Sequence, residues 1–258
     1  MNRLSIITIN LNNLAGLAET FSSVFSQRFS GFEYIVIDGG STDGSVELMN
    51  QHAEQINYRV SEKDKGLYDA MNKGIAAARG EYLLFLNSGD ALVDEHSLEQ
   101  CMQHLLRHPE ADILYADYYS ISGQEAAPER YRYPPHFTLD ELKKHIPCQQ
   151  ASLVKAQIFK EIGVFPLDYW IAADYWMYLK SFLAGKKFLY MDFVMARYHA
   201  HGLSAIHSEA CFAEMAAIWQ KLVPETLRRP IDKKAAFRKS RWGMLWMRTL
   251  ARLGLQSS

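Results

Sequence analysis

The sequence predicts an α/β protein: a mostly parallel, Rossmann-like sheet with helices on both faces, followed by a helical C-terminal extension. Three observations predict it. Through residue 118, apolar strand-like runs alternate with helix-spaced segments, an order that closes a sheet through parallel crossovers. Turns rich in Asp, Asn and Gly follow two of the apolar runs, at 38–44 and 87–90. Beyond residue 205 the pattern becomes helical and, toward the end, strongly basic. At 258 residues and 48% apolar, the chain can build a sizeable core in one large domain or two small ones.

Taken in order, residues 4–9 read as a buried strand. Leu14, Leu17, Phe21, Val24 and Phe25 then recur at helical spacing, predicting a helix over 14–29. Residues 32–37 form a second strand ending at Asp38. Ser41 or Asp43 caps a helix that runs to about His52. A short strand over 58–61 precedes a helix over 67–78, which Gly80 stops. A strand over 82–86, a helix over 95–107 ahead of Pro109, and a strand over 113–116 complete the alternation. Residues 120–148 hold Gly123, Pro128, Pro134, Pro135 and Pro147, and predict a loop-rich insertion or irregular hairpin. Helices are expected over 154–162, 173–184 and 208–222, with a strand over 187–190.

Cys101, Cys148 and Cys211 are the only cysteines. Their odd number and wide spacing argue against a disulfide framework, so a reducing, cytoplasmic setting is expected. Residues 1–9 read as a first strand rather than a signal peptide. No run approaches the roughly 18 apolar residues of a spanning helix. The net charge of −1 conceals a split. Residues 225–258 carry nine basic and two acidic side chains, a balance of +7, against −8 for residues 1–224. Such an appendage calls for an anionic partner.

The chemistry-bearing residues sit where strands end, the edge at which open α/β sheets bind ligands. Asp38 follows a strand and can accept from a ribose hydroxyl or a base N–H. Asp90 closes Asn87-Ser88-Gly89-Asp90 and, with diphosphate oxygens, would make a hard-oxygen site for Mg²⁺ or Mn²⁺. Asp174 lies near the start of a helix, flanked by Trp170, Tyr175 and Trp176. It is either a cap or an ionised general base. His199 and His201 alternate along the chain and are candidates for a phosphate or metal contact, so His201 joins Asp90 among the metal candidates.

Six segments, in order, resemble the family 2 glycosyltransferases, inverting nucleotide-sugar enzymes with the GT-A fold. They are Ser5-Ile6-Ile7-Thr8-Ile9-Asn10, Ser26-Gln27, the run from Ile35 to Gly44, the run from Asp64 to Gly74, Phe85-Leu86-Asn87-Ser88-Gly89-Asp90, and Ala173-Asp174-Tyr175. The Tyr-Asp-Ala-Met-Asn and Leu-Asn-Ser-Gly-Asp segments resemble the subgroup of bacterial exopolysaccharide and O-antigen enzymes that includes the colanic acid fucosyltransferase type.

The resemblance implies a GT-A catalytic domain over 1–205. Its nucleotide-binding half would span 1–118 and its acceptor half 119–205, with a basic amphipathic region over 206–258. It implies that Thr8, Ile9, Asn10 and Asp38 hold the base and ribose of a UDP-, GDP- or dTDP-sugar. Asp69, Asn72 and Lys73 would line the donor site with Asn87 and Ser88. Asp90 would be the second acid of the Asp-x-Asp metal motif, with Asn87 or Ser88 standing in for the first. Asp174 would be the catalytic base, and Gln149, Gln150 and Trp170 would face the acceptor.

Drawn as a helix, residues 234–253 place Trp242, Leu245, Trp246, Thr249 and Leu253 on one face, beside Lys234, Arg241, Arg248 and Arg252. That face suits either an anionic membrane surface or packing on the catalytic domain. The expected acceptor is a saccharide or a polyprenyl-diphosphate-linked saccharide, the expected location the inner face of the cell membrane, and no nucleic-acid partner is expected. Two other readings stay open: a nucleotidyltransferase, against which the absence of Lys or Arg from residues 10–16 weighs, and a binding protein of the same fold without catalysis.

Overall fold

The computed structural model describes residues 3–121, 127–199 and 206–227. His201 and the basic segment 228–258 lie outside the described residues. The N-terminal half follows the expected alternation: β1 (Leu4–Asn10), α1 (Leu14–Phe25), β2 (Phe32–Asp38), α2 (Ser45–Gln51), β3 (Tyr58–Ser61), α3 (Leu67–Ala77) and β4 (Tyr82–Phe85). β1 pairs in parallel with β2 on one side and β4 on the other, and β2 pairs in parallel with β3.

Both faces of this sheet are covered. Leu4 and Ile6 of β1 pack with α1 and α2 residues such as Leu17, Phe21 and Met49. Ile7 and Ile9 point the other way, toward Tyr68 and Met71 of α3. The strand therefore carries apolar residues on both of its faces, since period-two alternation now serves two buried faces. Gly74 lets α3 press onto β1, because a Cβ there would lie 2.4 Å from Ile7 Cγ2. Burying Ile7 and Met71 at that contact removes two large side chains from water, each worth about 1.5–3 kcal/mol.

The remaining elements are β5 (Ala91–Leu92), α4 (Ser97–Arg107), β6 (Ile113–Ile121), β7 (Glu129–Tyr131), α5 (Leu139–Leu142), β8 (Ser152–Lys155), α6 (Ala156–Ile162), α7 (Ala173–Leu183), β9 (Phe188–His199) and α8 (Ser208–Leu222). The strand order is β3-β2-β1-β4-β8-β6-β9-β5, with β7 on β6. β8 runs antiparallel to both β4 and β6, and β5 runs antiparallel to β9. The sheet is thus parallel in its first half and mixed in its second.

Three expectations are corrected here. The segment expected as a helix over 154–162 begins as strand β8 and turns helical only at Ala156. The strand expected over 187–190 extends to His199, because β6 supplies a parallel partner along most of its length. The helix expected from 14 to 29 ends at Phe25. Helix α8 does not stand apart: Ile218, Trp219 and Cys211 pack with Ile171, Tyr175 and Leu179 around α7.

Candidate active site

The C-terminal ends of β1 and β4, the N-termini of α3 and α7, and one face of α8 surround a cleft of about 820 Å³. Ile9, Asn10, Asn87, Ser88, Asp90, Gln149, Gln150, Trp170 and Asp174 line it, so nine of the sequence-predicted site residues meet in one place.

The turn after β4 is held from beneath. Gly89 adopts φ 97°, a left-handed conformation that a residue with a Cβ rarely takes. Its N–H donates to Thr20 Oγ1 at 3.0 Å, and the Thr20 hydroxyl lies 2.7 Å from the Asp90 carbonyl. Asn13, which caps α1 by accepting from Gly16 N–H, donates to the Ser88 carbonyl. Asp90 is 6% exposed and its Oδ1 accepts from the His199 N–H at 3.1 Å, tying the turn to the end of β9. Across from it, His199 Nε2 lies 3.7 Å from Glu19 Oε1.

Asp174 occupies the first turn of α7. Its Oδ1 accepts from the Tyr175 N–H at 2.8 Å and from the Tyr68 hydroxyl at 3.1 Å. Burial pushes the carboxyl above the usual aspartate range, and the nearby Glu214 pushes the same way; hydrogen bonds from Tyr175 and Tyr68 offset part of this. Burial also raises the Tyr68 hydroxyl well above its ordinary value, so it stays a donor. Ionised, Asp174 is a partly buried carboxylate facing the cleft, with an affinity for protons suited to a general base.

Five expected donor residues do not line the cleft. Thr8 Oγ1 lies 2.7 Å from the Leu86 carbonyl and 2.9 Å from the Tyr34 hydroxyl, inside the core. Asp38 is fully buried at the end of β2. Its two oxygens accept from Asn10 Nδ2, the Gly40 and Ser41 N–H groups, and the Ser41 and Ser61 hydroxyls. Burial raises this carboxyl, yet those bonds, led by Ser41 and Ser61, outweigh burial and hold it below the usual range. Asn72 is engaged by Phe165, accepting from its N–H and donating to its carbonyl. Lys73 pairs with Glu62 at 2.9 Å and lies 3.8 Å from Asp69, while Asp69 accepts from the Lys65 N–H.

His201 aside, the metal ligands expected from the sequence fall in the Asn87–Asp90 turn. Among the described residues no group of three or more His, Cys, Asp or Glu is placed to hold a metal ion. One carboxylate is present, on Asp90, and the Asn87 Oδ1 is buried with no hydrogen-bond partner. An amide oxygen and a carboxylate fit a hard cation whose other ligands come from a diphosphate. Asn10 Oδ1 is likewise without a partner.

Sequence reasoning gave no role to Tyr68, Asp64, Glu19, Cys211 or Glu214. Tyr68 and Asp64 fall inside the Asp64–Gly74 segment, whereas Glu19 and Glu214 sit on helices where an acidic residue reads as a solvated face. Asp64, Glu19 and Cys211 line the cleft.

The family model described as glycosyl transferase family 2 matches residues 5–163. A Mycobacterium tuberculosis protein named PGL/p-HBAD biosynthesis glycosyltransferase is 32% identical over 204 residues, covering 77% of each chain. A second protein of that organism, named only as a glycosyltransferase, is 37% identical over 183 residues, covering 69% of this chain and 68% of its own. Among solved structures, S. aureus TarS in complex with UDP-GlcNAc superposes with a TM-score of 0.68 at 17% identity, covering 96% of this chain and 73% of TarS. The mannosyltransferase PcManGT from Pyrobaculum calidifontis, in complex with GDP-Man and Mn²⁺, gives 0.62 at 15% identity, covering 96% of this chain and 84% of its own. The fold is that of the GT-A glycosyltransferases, and the match across most of the catalytic body shows that this chain belongs to glycosyl transferase family 2.

Proposed function

We propose that the chain transfers a sugar from a nucleoside diphosphate donor to an acceptor hydroxyl, with inversion at the anomeric carbon. The observation that carries this reading is that Asp174 and the Asn87–Asp90 turn line one cleft at the strand ends. Asp174 takes the proton of the acceptor hydroxyl as its oxygen attacks the anomeric carbon. The bond to the diphosphate oxygen breaks on the opposite face, and the electron pair leaves with the diphosphate. A single displacement of this kind inverts the centre.

Asn87 and Asp90 would hold a divalent cation, Mg²⁺ or Mn²⁺, which when bound supplies positive charge to the leaving diphosphate. Asp38 serves the donor side through Asn10, fixing that amide so that its carbonyl oxygen is left for the ligand. Gln149, Gln150 and Trp170 belong to the acceptor side. TarS and PcManGT, crystallised with UDP-GlcNAc and with GDP-Man, support a nucleotide-sugar donor.

We read the finer assignment from the sequence alone: an enzyme of bacterial surface polysaccharide synthesis, near the colanic acid fucosyltransferase type, acting on a polyprenyl-diphosphate-linked saccharide. Residues 228–258 would seat it on the anionic inner face of the cell membrane. No helix among the described residues is long and apolar enough to cross a membrane.

The test is release of nucleoside diphosphate from UDP-, GDP- and dTDP-sugars with and without Mn²⁺, with the anomeric configuration of the product read by NMR. Absence of release with every donor and acceptor would leave a binding protein. A product that keeps the donor configuration would remove the single-displacement chemistry.

A further inference from the structure

Helix α8 follows the segment matched by the family model, yet it reaches the catalytic centre. Cys211 and Met215, one helical turn apart, line the cleft, and Glu214 lies between them in sequence. The Glu214 carboxylate accepts three consecutive backbone N–H groups: Trp170 on Oε1 at 2.8 Å, and Ile171 and Ala172 on Oε2 at 3.0 Å each. Ala172 is the N-cap residue of α7 and provides no side-chain cap. The start of a helix leaves N–H groups without intrahelical partners, and here a carboxylate from another helix satisfies the amides leading into it. Asp174 is the second residue of that helix. We propose that Glu214 is the positioning residue for Asp174: it clamps the 170–172 backbone from α8 and so fixes where the base meets the acceptor hydroxyl.

The clamp has an electrostatic consequence as well. A helix N-terminus carries partial positive charge that favours nearby anions. Glu214 neutralises part of it and stands as a like charge beside Asp174, which keeps that carboxyl from becoming too weak a base. The other titratable groups facing Asp174 are Tyr68 on α3 and Tyr178 on α7, while Cys211 on α8 lies near Tyr68; burial holds both tyrosines well above their ordinary values.

The inference rests on Asp174 being the base, and its test separates the two ideas. Glu214→Ala and Glu214→Gln are compared with wild type in the full chain. Amide hydrogen exchange at 170–172 should quicken in both, more in the alanine variant, because a carboxamide keeps one accepting oxygen. Misplacement of a reacting group by about 1 Å costs on the order of 10²-fold, so Glu214→Ala should lose about 10- to 100-fold in kcat. Nucleoside diphosphate affinity should stay within about two-fold, since Glu214 itself does not line the cleft. In Glu214→Gln the acid limb of the kcat/KM profile should move to lower pH. Unchanged exchange at 170–172 overturns the clamp, and unchanged kcat in a variant with faster exchange overturns its catalytic consequence. If Asp174→Asn turns over like wild type, the base assignment fails, while the exchange measurement still reads the clamp. Should the alanine variant fail to fold, the glutamine variant carries the same readouts.

Discussion

The Tyr68 hydroxyl at the start of α3 lies 3.1 Å from Asp174 Oδ1 at the start of α7 and accepts from the Asp174 N–H at 3.4 Å, so polar contact joins two helices that flank the cleft. The contact leaves the second carboxylate oxygen without a tyrosine partner. Asp174→Asn should lower kcat by about 10²- to 10⁴-fold while nucleoside diphosphate binding persists, because an amide keeps the shape and loses the proton affinity. Single-turnover transfer and calorimetric titration with the nucleotide check it. Wild-type turnover in this variant would mean that the acceptor proton goes elsewhere.

Asp174 also makes a prediction about stability and pH. Burial raises its carboxyl above the ordinary value, so between that value and the raised one the folded chain binds more protons than the unfolded chain. Its contribution therefore falls as pH rises through that window and stays at the lower level above it. Asp174→Asn should be at least as stable as wild type at pH 7, with the difference shrinking as pH falls toward about 4. Urea denaturation at several pH values reads this directly. A variant clearly less stable than wild type at pH 7 would make the carboxylate a structural anchor.

Asp38 is expected to behave oppositely. Its folded carboxyl lies below the usual range, so it contributes stability above the unfolded value and loses it as pH falls through the folded one. Asp38→Ala removes an acceptor from Asn10 Nδ2 and from the Ser61 hydroxyl and should cost about 3 kcal/mol. The measurement is again equilibrium unfolding at pH 7. A loss below about 0.5 kcal/mol would show that water replaces those bonds at no cost.

How much of this was legible in the sequence depends on the kind of signal. Strands β1, β2 and β4 announce themselves because both faces are buried and apolar residues fall on both of them, with few polar interruptions. β8 does not: four residues directly ahead of a helix carry no period that separates strand from helix. β9 reads as a strand only at its start, since Asp192 and Arg197 interrupt its apolar pattern and pairing with β6 holds the rest. In the site, carboxylates at strand ends were visible, but bonding was not. Asp38 and Asp90 both follow strands, yet one is enclosed by five donors and the other faces the cleft. Tyr68 and Glu214 show the same limit, for their roles exist only once α3, α7 and α8 come together.

The C-terminal segment gives a prediction that depends on composition. Residues 228–258 combine a Trp and Leu face with adjoining Lys and Arg, and each cation near an anionic surface contributes about 1 kcal/mol. Truncation after Val223 should move the protein from the membrane to the soluble fraction and abolish co-sedimentation with vesicles containing anionic lipid. High salt should weaken binding of the full chain in the same assay. A truncated form that still pellets with membranes would place the attachment in the catalytic body.

The family resemblance puts an acid where Asn87 or Ser88 stands, and the Asn87 Oδ1 is buried without a partner in the turn that ends in Asp90. A neutral amide oxygen binds a hard cation more weakly than a carboxylate does, because affinity at such sites follows ligand charge. Asn87→Asp should therefore tighten Mn²⁺ binding in the presence of nucleoside diphosphate by about ten-fold, a gain of about 1.4 kcal/mol. Asp90→Asn should weaken it by at least as much. Without nucleotide both effects should shrink, since diphosphate oxygens would supply the remaining ligands of a cation held at this turn. Electron paramagnetic resonance of Mn²⁺ reads the affinities directly, whether or not transfer is measured. Equal affinity in wild type and both variants would mean that the cation, if bound, is held away from this turn, and the charge on the departing diphosphate would then fall to other groups lining the cleft, with Lys144, His145 and His199 the first to substitute.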